Sequence, residues 1–582
     1  MVYENLFSIG TEESIGLVTK VDSYSVSVSV IDDSVLEHVN VNGFVILQTS
    51  NPNIRLIGRI DRVIRSGIEY LYSEDSIDGE EEIMNNTEVY INALGTLKGT
   101  SVGRNRPTFT RAVETLPEIG AKCFLLNGNK LTAFTGLIAD ETTSQGNPLT
   151  LGHYTMANNA DALLDGDAFF QRHAMVVGST GSGKSWTTAR IVEQVADLPK
   201  SNMVVFDLHG EYTPLSEHEN IERLRIAGPG DLNTPQSDVI YLPYWLLGYE
   251  DMLALILDRT DENAPNQAMA FSNTVIEAKK QTLLSEHMDE ELETFTIDSP
   301  IPYEMSFVVD ELSRLNNERI TNPSTGREIN GPFNGKFHRF IPRLQAKRSD
   351  RRYGFLFNLN EEHLHPDYLE FLVNKLMKST QDGHSGIKII DFSEVPSDIL
   401  PIVISLVAKL IFQVQQWSVT SERHPIALVC DEAHLYLPSR QAADASEARA
   451  LAHFERIAKE GRKYGVSLLI ISQRPSELNT TIMSQCNNVV SLRLSNQADK
   501  NAVCNLLPEN LGGIQDILPT LGIGEAVVVG DSCLLPSRIK IKEPTYKPNS
   551  GSVEFWYEWS DGENEQNLRN AITNLRRQTI SS

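Results

Sequence analysis

At 582 residues the chain is longer than one hydrophobic core usually organises, so about two to four domains are expected. With 41% apolar and 22% charged residues the composition is that of a globular protein, and no uninterrupted apolar run is long enough to cross a bilayer. The formal net charge of −26 argues against a broad nucleic-acid-binding face, because affinity for phosphate comes mainly from Lys and Arg, but it leaves room for positive potential confined to a channel.

The N-terminal stretch MVYENLFSIGTEESIG has no basic segment followed by an apolar one, so it does not read as a secretory signal, and the cytoplasm is the expected location. Residues 1–145 then carry short β-branched runs with alternation, such as Tyr24-Ser25-Val26-Ser27-Val28-Ser29-Val30, separated by turn signals at Asn51-Pro52-Asn53 and Asn127-Gly128-Asn129. That pattern predicts a small antiparallel barrel. The segment GNPLTLGHYTMANNADALLDGDAFF reads as a linker into the apolar strand His173-Ala174-Met175-Val176-Val177.

From 146 to 250 and again from 381 to 540, continuous apolar runs alternate with helical stretches: MVVFDL, IKIIDF, IALVCDE, VSLLIISQ and VVSLRL. Such runs predict a parallel sheet covered on both faces, the core of an α/β domain. Between 251 and 380 the pattern turns polar and helical, which predicts a mainly helical insertion, and 541–582 reads as a tail with an aromatic patch at Phe555-Trp556-Tyr557 and Trp559. The five cysteines, Cys123, Cys430, Cys486, Cys504 and Cys533, lack CxxC spacing and are read as buried small hydrophobes.

GSTGSGKS at 178–185 fits G-x-x-x-x-G-K-[ST] between an apolar strand and the helix WTTARIVEQVADL. Gly178, Ser179, Thr180, Gly181, Ser182 and Gly183 are the candidate cradle for the phosphates of ATP, ending at Trp186. Lys184 is expected at the β- and γ-phosphates and the Ser185 hydroxyl on Mg2+. Hydrolysis also needs carboxylates at the end of a neighbouring strand, and IALVCDEAH offers Asp431 as the second Mg2+ residue and Glu432 as the general base. Two solvated acids at a strand end are the plainer alternative. Gln473, closing VSLLIISQ, is a candidate sensor of the γ-phosphate or orienter of water, and a surface glutamine otherwise. Asp207, His209 and Glu211 of VVFDLHGEY fall at the same kind of strand end, with Glu211 the one expected near nucleotide or metal.

Taken in order, RHAMVVGSTGSGKS, VVFDLHGEY, DEAHLYLP, ERIAKEGRKYG, ISQRP and GEAVVVG strongly resemble the HerA helicases, relatives of FtsK and of conjugative ATPases, over about 150–540. The resemblance implies a RecA/FtsK-like parallel-sheet P-loop ATPase core and an N-terminal barrel of the family's HAS type. It further implies a homohexamer with ATP sites between subunits, double-stranded DNA in the central channel, and a partner docked on the ring: a NurA-like nuclease, another nuclease or a defence effector such as a sirtuin-like NADase. It also assigns arginines. Arg172 and Arg462 match family positions linked to stabilising charge on the transferring phosphoryl group from a neighbouring subunit, with Arg456 a competitor for Arg462.

For DNA contact the concentrated basic stretch is KFHRFIPRLQAKRSDRR, with Lys336, Arg339, Arg343, Lys347, Arg348, Arg351 and Arg352 against Asp350 alone; a solvated helical face is the alternative. These readings predict an ATP-driven double-stranded DNA translocase or helicase acting with a nuclease or effector in end processing or anti-phage defence. A ring that mainly scaffolds and regulates an effector enzyme, and a translocase of protein substrates, stand beside it. No membrane role is expected.

Overall fold

A computed structural model describes residues 6–7, 14–68, 84–100, 106–143, 146–156, 160–233, 236–324, 326–380, 385–443, 445–507, 514–551, 555–560 and 568–577. The chain divides into two compact units, one of residues 1–194, 469–476 and 483–545, the other of 195–468, 477–482 and 546–582.

In the first unit, alternation along Ser25–Val30 turns Val26 and Val28 inward, where they pack with Ile15, Val18, Val45, Leu47, Leu56, Ile60, Val89 and Ile91. The strands Ser14–Val21, Lys122–Leu126, Phe44–Gln48, Ile54–Ile68 and Met84–Lys98 follow in order, and Ser25–Val30 pairs with Met84–Lys98 to close a six-stranded barrel. The turn at Asn51 forms as expected: its side chain accepts the Asn53 amide at 3.0 Å and its carbonyl accepts Ile54 N at 3.0 Å. The turn signal at Asn127-Gly128 behaves differently. Gly128, at φ +50°, opens a sixteen-residue helix, Gly128–Thr143, which buries Leu131, Phe134, Leu137 and Ile138 at helical spacing.

The segment read as a linker is also structured. Leu149–Tyr154 and Asp161–Leu164 form a hairpin that buries Leu149, Leu151 and Tyr154, and its first strand pairs antiparallel with Ser537–Ile541, setting Tyr154 opposite Ile539. Asp165 then caps the short helix Gly166–Gln171 by accepting Ala168 N at 3.0 Å. Ala174–Val177, buried at every position, lies parallel to Val466–Ser472 on one side and Asn488–Ser491 on the other. Beyond Asn488–Ser491 the sheet turns antiparallel through Glu525–Gly530 and Ser537–Ile541, the last two joined by the short connection 531–536 that antiparallel neighbours allow.

In the second unit Val239–Ile240, Ile221–Ile226, Ile387–Asp391, Met203–Asp207 and Ile426–Cys430 form a wholly parallel sheet in that order. Its register sets Asp207 and Arg225 on either side of Asp391. Residues 249–377 fold mainly as helices, with Tyr249–Ile256, Ala264–Ser285, Met305–Asn317, Phe340–Ser349 and Asp367–Met377, plus an exposed hairpin of Arg319–Thr321 and Glu328–Asn330. The helix Leu400–Trp417 packs against Ala445–Tyr464. Leu400–Trp417, interrupted by Lys409, is long and apolar enough by length and composition to cross a bilayer, but 67% of it is buried, as in the core helix of a folded domain. Among the described residues it is the one helix of that kind.

Candidate active site

The loop 178–185 is shaped by its glycines and by short-range hydrogen bonds. Gly178 N donates to Ser472 O at 3.3 Å and Ser179 N to Arg493 O at 2.8 Å, which ties the loop's first residues to the two strands flanking Ala174–Val177. Inside the loop, Ser182 N and Oγ both reach Ser179 O, at 3.1 and 2.6 Å, and Gly524 N donates to Ser182 O at 2.9 Å. Gly181 and Gly183 adopt φ of +71° and +110°, values that favour glycine. A Cβ on Gly178 would stand 2.5 Å from Ser182 Oγ and 2.8 Å from Leu492 Cβ. Lys184 and Ser185 open the helix Lys184–Ala196, Lys184 largely buried and Ser185 and Trp186 partly so. Such a cradle at a helix N-terminus is chemically suited to phosphate.

Gln473 and Thr180 meet in the same unit, Thr180 Oγ1 donating to Gln473 Oε1 at 2.6 Å. Arg172, at the C-terminal cap of Gly166–Gln171, forms an ion pair with Asp531, both exposed.

The carboxylates gather in the other unit. Asp431 follows the fully buried strand Ile426–Cys430 and is 4% exposed; burial first, then the charges of Glu432, Asp207 and Glu211, raise its pKa well above the ordinary value. Glu432 sits at φ +42°, a left-handed conformation that costs a non-glycine residue about 1–2 kcal/mol, and its Oε2 lies 3.3 Å from His434 Nδ1. Asp207 is fully buried, and burial pushes its pKa up to about 6, although it accepts the amides of Tyr212 at 2.9 Å, Glu211 at 3.1 Å and His209 at 3.3 Å. Asp207 thereby fixes the turn that carries Glu211. A bound divalent cation would favour the charged form of these carboxyls, but among the described residues no three His, Cys, Asp or Glu side chains are placed to hold one by themselves, so its other ligands would come from nucleotide and water.

Two members of this cluster escaped the reading of the sequence. Asp391 closes IKIIDF beside Asp207 and pairs with Arg223 Nη2 at 2.6 Å. Both border a polar cavity of about 330 Å³ with His209, Arg225 and Glu394. The signal was available, since IKIIDF ends in an acid just as VVFDL and IALVCDE do. Arg462 is exposed in the last turn of Ala445–Tyr464; Arg456, also exposed, contacts Glu460 at 3.3 Å and Gln416 at 3.2 Å. The basic stretch forms the helix Phe340–Ser349 and the turn after it, and part of its charge is paired: Arg343 with Asp258 at 3.1 Å, Arg352 with Asp350 at 2.6 Å, and Lys347 with the Tyr353 hydroxyl at 2.5 Å.

A glycine loop and lysine leading into a helix, in one chain with a buried parallel strand ending in Asp-Glu, define a P-loop ATPase. The family model described as "Helicase HerA, central domain" matches residues 149–411. The "Probable helicase MJ1565" of Methanocaldococcus jannaschii is 24% identical over 84% of this chain and 83% of its own length. The "DNA double-strand break repair helicase HerA" of Pyrococcus furiosus is 23% identical over 68% of this chain and 69% of its own. Among solved structures, VirB4 of Thermoanaerobacter pseudethanolicus aligns with 69% of this chain and 98% of its own at 17% identity and a TM-score of 0.44. The chain is thus similar to the HerA-type helicases, with that family's central domain matched over 149–411, and is an ATP hydrolase.

Proposed function

We propose that the chain is an ATP-driven translocase or helicase for double-stranded DNA that works as a cytoplasmic homohexamer and serves a partner nuclease or effector in end processing or anti-phage defence. The observation that carries the reading is the presence, in one chain similar to the HerA helicases, of both a glycine-shaped phosphate cradle and a buried Asp431 crowded by the charge of Glu432. The printed names of the relatives, helicases of DNA double-strand break repair, support DNA as the substrate.

In this reading Lys184 holds the β- and γ-phosphates of ATP, and Ser185 and Asp431 hold Mg2+. The ion, when bound, offsets the charge of the phosphate oxygens. Glu432 takes the proton of the attacking water, its left-handed backbone fixing where the carboxylate stands. Gln473 orients that water when it leaves Thr180, and Arg172 and Arg462 reach the phosphates of a neighbouring copy.

The test is steady-state ATP hydrolysis with and without double-stranded DNA, over a range of salt. Stimulation that fades with salt and falls about a thousandfold in Glu432→Gln, with nucleotide binding retained, is the expected result. Hydrolysis indifferent to DNA overturns the motor and leaves a ring that scaffolds an effector.

A further inference from the structure

The helix Ala445–Tyr464, which carries Arg456 and Arg462, is held by buried carboxylates from two sides. On one, Asp251 of Tyr249–Ile256 lies 3.4 Å from Arg449 Nε and 3.3 Å from His453 Nε2, and also takes Lys409 Nζ at 2.8 Å. On the other, the helix contributes its own acid. Glu455, 4% exposed, receives Arg440 through both oxygens, Nε at 2.8 Å on Oε1 and Nη2 on Oε2, and its Oε1 also accepts Asn479 Nδ2 at 3.0 Å.

The partners of Glu455 are what separate the two clamps. Arg440 closes the segment DEAHLYLPSR that leaves Glu432, and Asn479 closes QRPSELN that leaves Gln473. The ends of those segments are zipped together: Asn479 N donates to Leu437 O at 3.0 Å, Ser439 N to Glu477 O at 2.9 Å, and Pro438 and Leu478 form an antiparallel bridge. Asp251 ties the helix to Tyr249–Ile256; Glu455 ties it to both outgoing segments of the hydrolytic turns.

Stability alone does not call for this second clamp. Leu451, Phe454, Ile457 and Ala458 already bury the helix. The Arg440 side chain is 71% exposed, and ion pairs with an exposed partner add little net stability while fixing geometry through two parallel hydrogen bonds. We propose that Glu455 is a positioning residue for ATP hydrolysis, pinning the arginine-bearing helix to the segment leaving Glu432 so that the arginine offered to a neighbour's nucleotide is held in one place by its own chain's hydrolytic turn. The proposal rests on the reading in which an arginine of this helix acts on a neighbour's nucleotide.

The experiment compares kcat, KM for ATP and melting temperature of the full-length protein with saturating double-stranded DNA, for Glu455→Gln, Arg440→Gln and Arg449→Gln. Arg440→Gln changes an exposed partner and keeps the test open should Glu455→Gln fold poorly. Glu455→Gln and Arg440→Gln are expected to lower kcat about tenfold or more with KM within about twofold, since displaced groups cost rate more than binding. Arg449→Gln, which loosens the same helix from Asp251, lowers the melting temperature with kcat within about twofold. Adding Glu455→Gln to Arg462→Ala or Arg456→Ala lowers kcat no further for whichever arginine acts. A kcat that tracks melting temperature across all three variants, or additive losses with both arginines, overturns the proposal. Should Arg456→Ala and Arg462→Ala each leave kcat intact, the trans-acting arginine reading fails and takes the proposal with it. Needed arginines with an inert Glu455→Gln sink the positioning role alone.

Discussion

The phosphate loop at 178–185 and the acidic turns at Asp207 and Asp431 are held by different forces. The loop is a matter of backbone shape: two glycines at positive φ, a third with no room for a Cβ, and hydrogen bonds among neighbours within the loop and its flanking strands. The turns are a matter of charge against burial, with Asp207, Asp391 and Asp431 drawn from three separate strands and Glu432 in a strained conformation. Shape of the first kind is written in a short motif and lost by adding atoms. Strain of the second kind is written in tertiary register and relieved by protons or cations.

The sharpest break of this contrast is Gly178→Ala. Its Cβ would stand 2.5 Å from Ser182 Oγ and 2.8 Å from Leu492 Cβ, so the loop must shift by a good fraction of an ångström. Displacements on that scale cost about a hundredfold, so kcat/KM for ATP should fall by roughly that factor while the melting temperature changes little. A large loss of stability with normal kcat/KM in the surviving fold would show that the glycine serves packing rather than the cradle.

The acidic half should answer to pH instead. Asp207, raised by burial to about 6 in the folded chain, binds its proton more tightly there than in the unfolded chain, where it titrates near 4. Its contribution is therefore fully present below pH 4 and lost as pH rises through 6, a span worth roughly 2–3 kcal/mol. Asp431 is shifted in the same direction and adds to the slope in the same sense. With chelator present, the wild-type chain should lose stability between pH 4 and 7 relative to Asp207→Asn, and Mg2+ with nucleotide should flatten the difference. Equal pH profiles for the two proteins would remove the charge-against-burial account of this turn.

How much of this was legible in the sequence follows the same division. The barrel and the phosphate loop were readable because alternation in Ser25–Val30 and glycine spacing in GSTGSGKS are local signals. The place of Asp431 and Glu432 at the end of a buried strand was readable because a strand ending in two acids is nearly as local. The hairpin in 149–164 was not, since its apolar positions gain meaning only against Ser537–Ile541, hundreds of residues away. Nor was the helix opening at Gly128, whose glycine signals a turn until Leu131, Phe134 and Ile138 find a core. Asp391 and Glu455 were hidden for the same reason: one matters through the strand beside it, the other through Arg440 and Asn479.

The smallest effects belong to the basic stretch, where sequence proximity and electrostatic availability diverge. Asp258 and Asp350 already offset Arg343 and Arg352, whereas Arg339 and Arg351 are exposed. If the stretch meets DNA through phosphates, Arg339→Ala and Arg351→Ala should each lower the slope of log affinity against log salt by about one, equally for unrelated sequences. Arg343→Ala should lower it less, because a cation already paired with an acid displaces fewer counterions from the DNA when it binds. Unchanged slopes in all three variants would place the contact elsewhere in the chain. A larger effect at Arg343 than at Arg339 would mean that Asp258 gives up its partner when DNA arrives, and that this pair, unlike those of the acidic turns, is made to be exchanged.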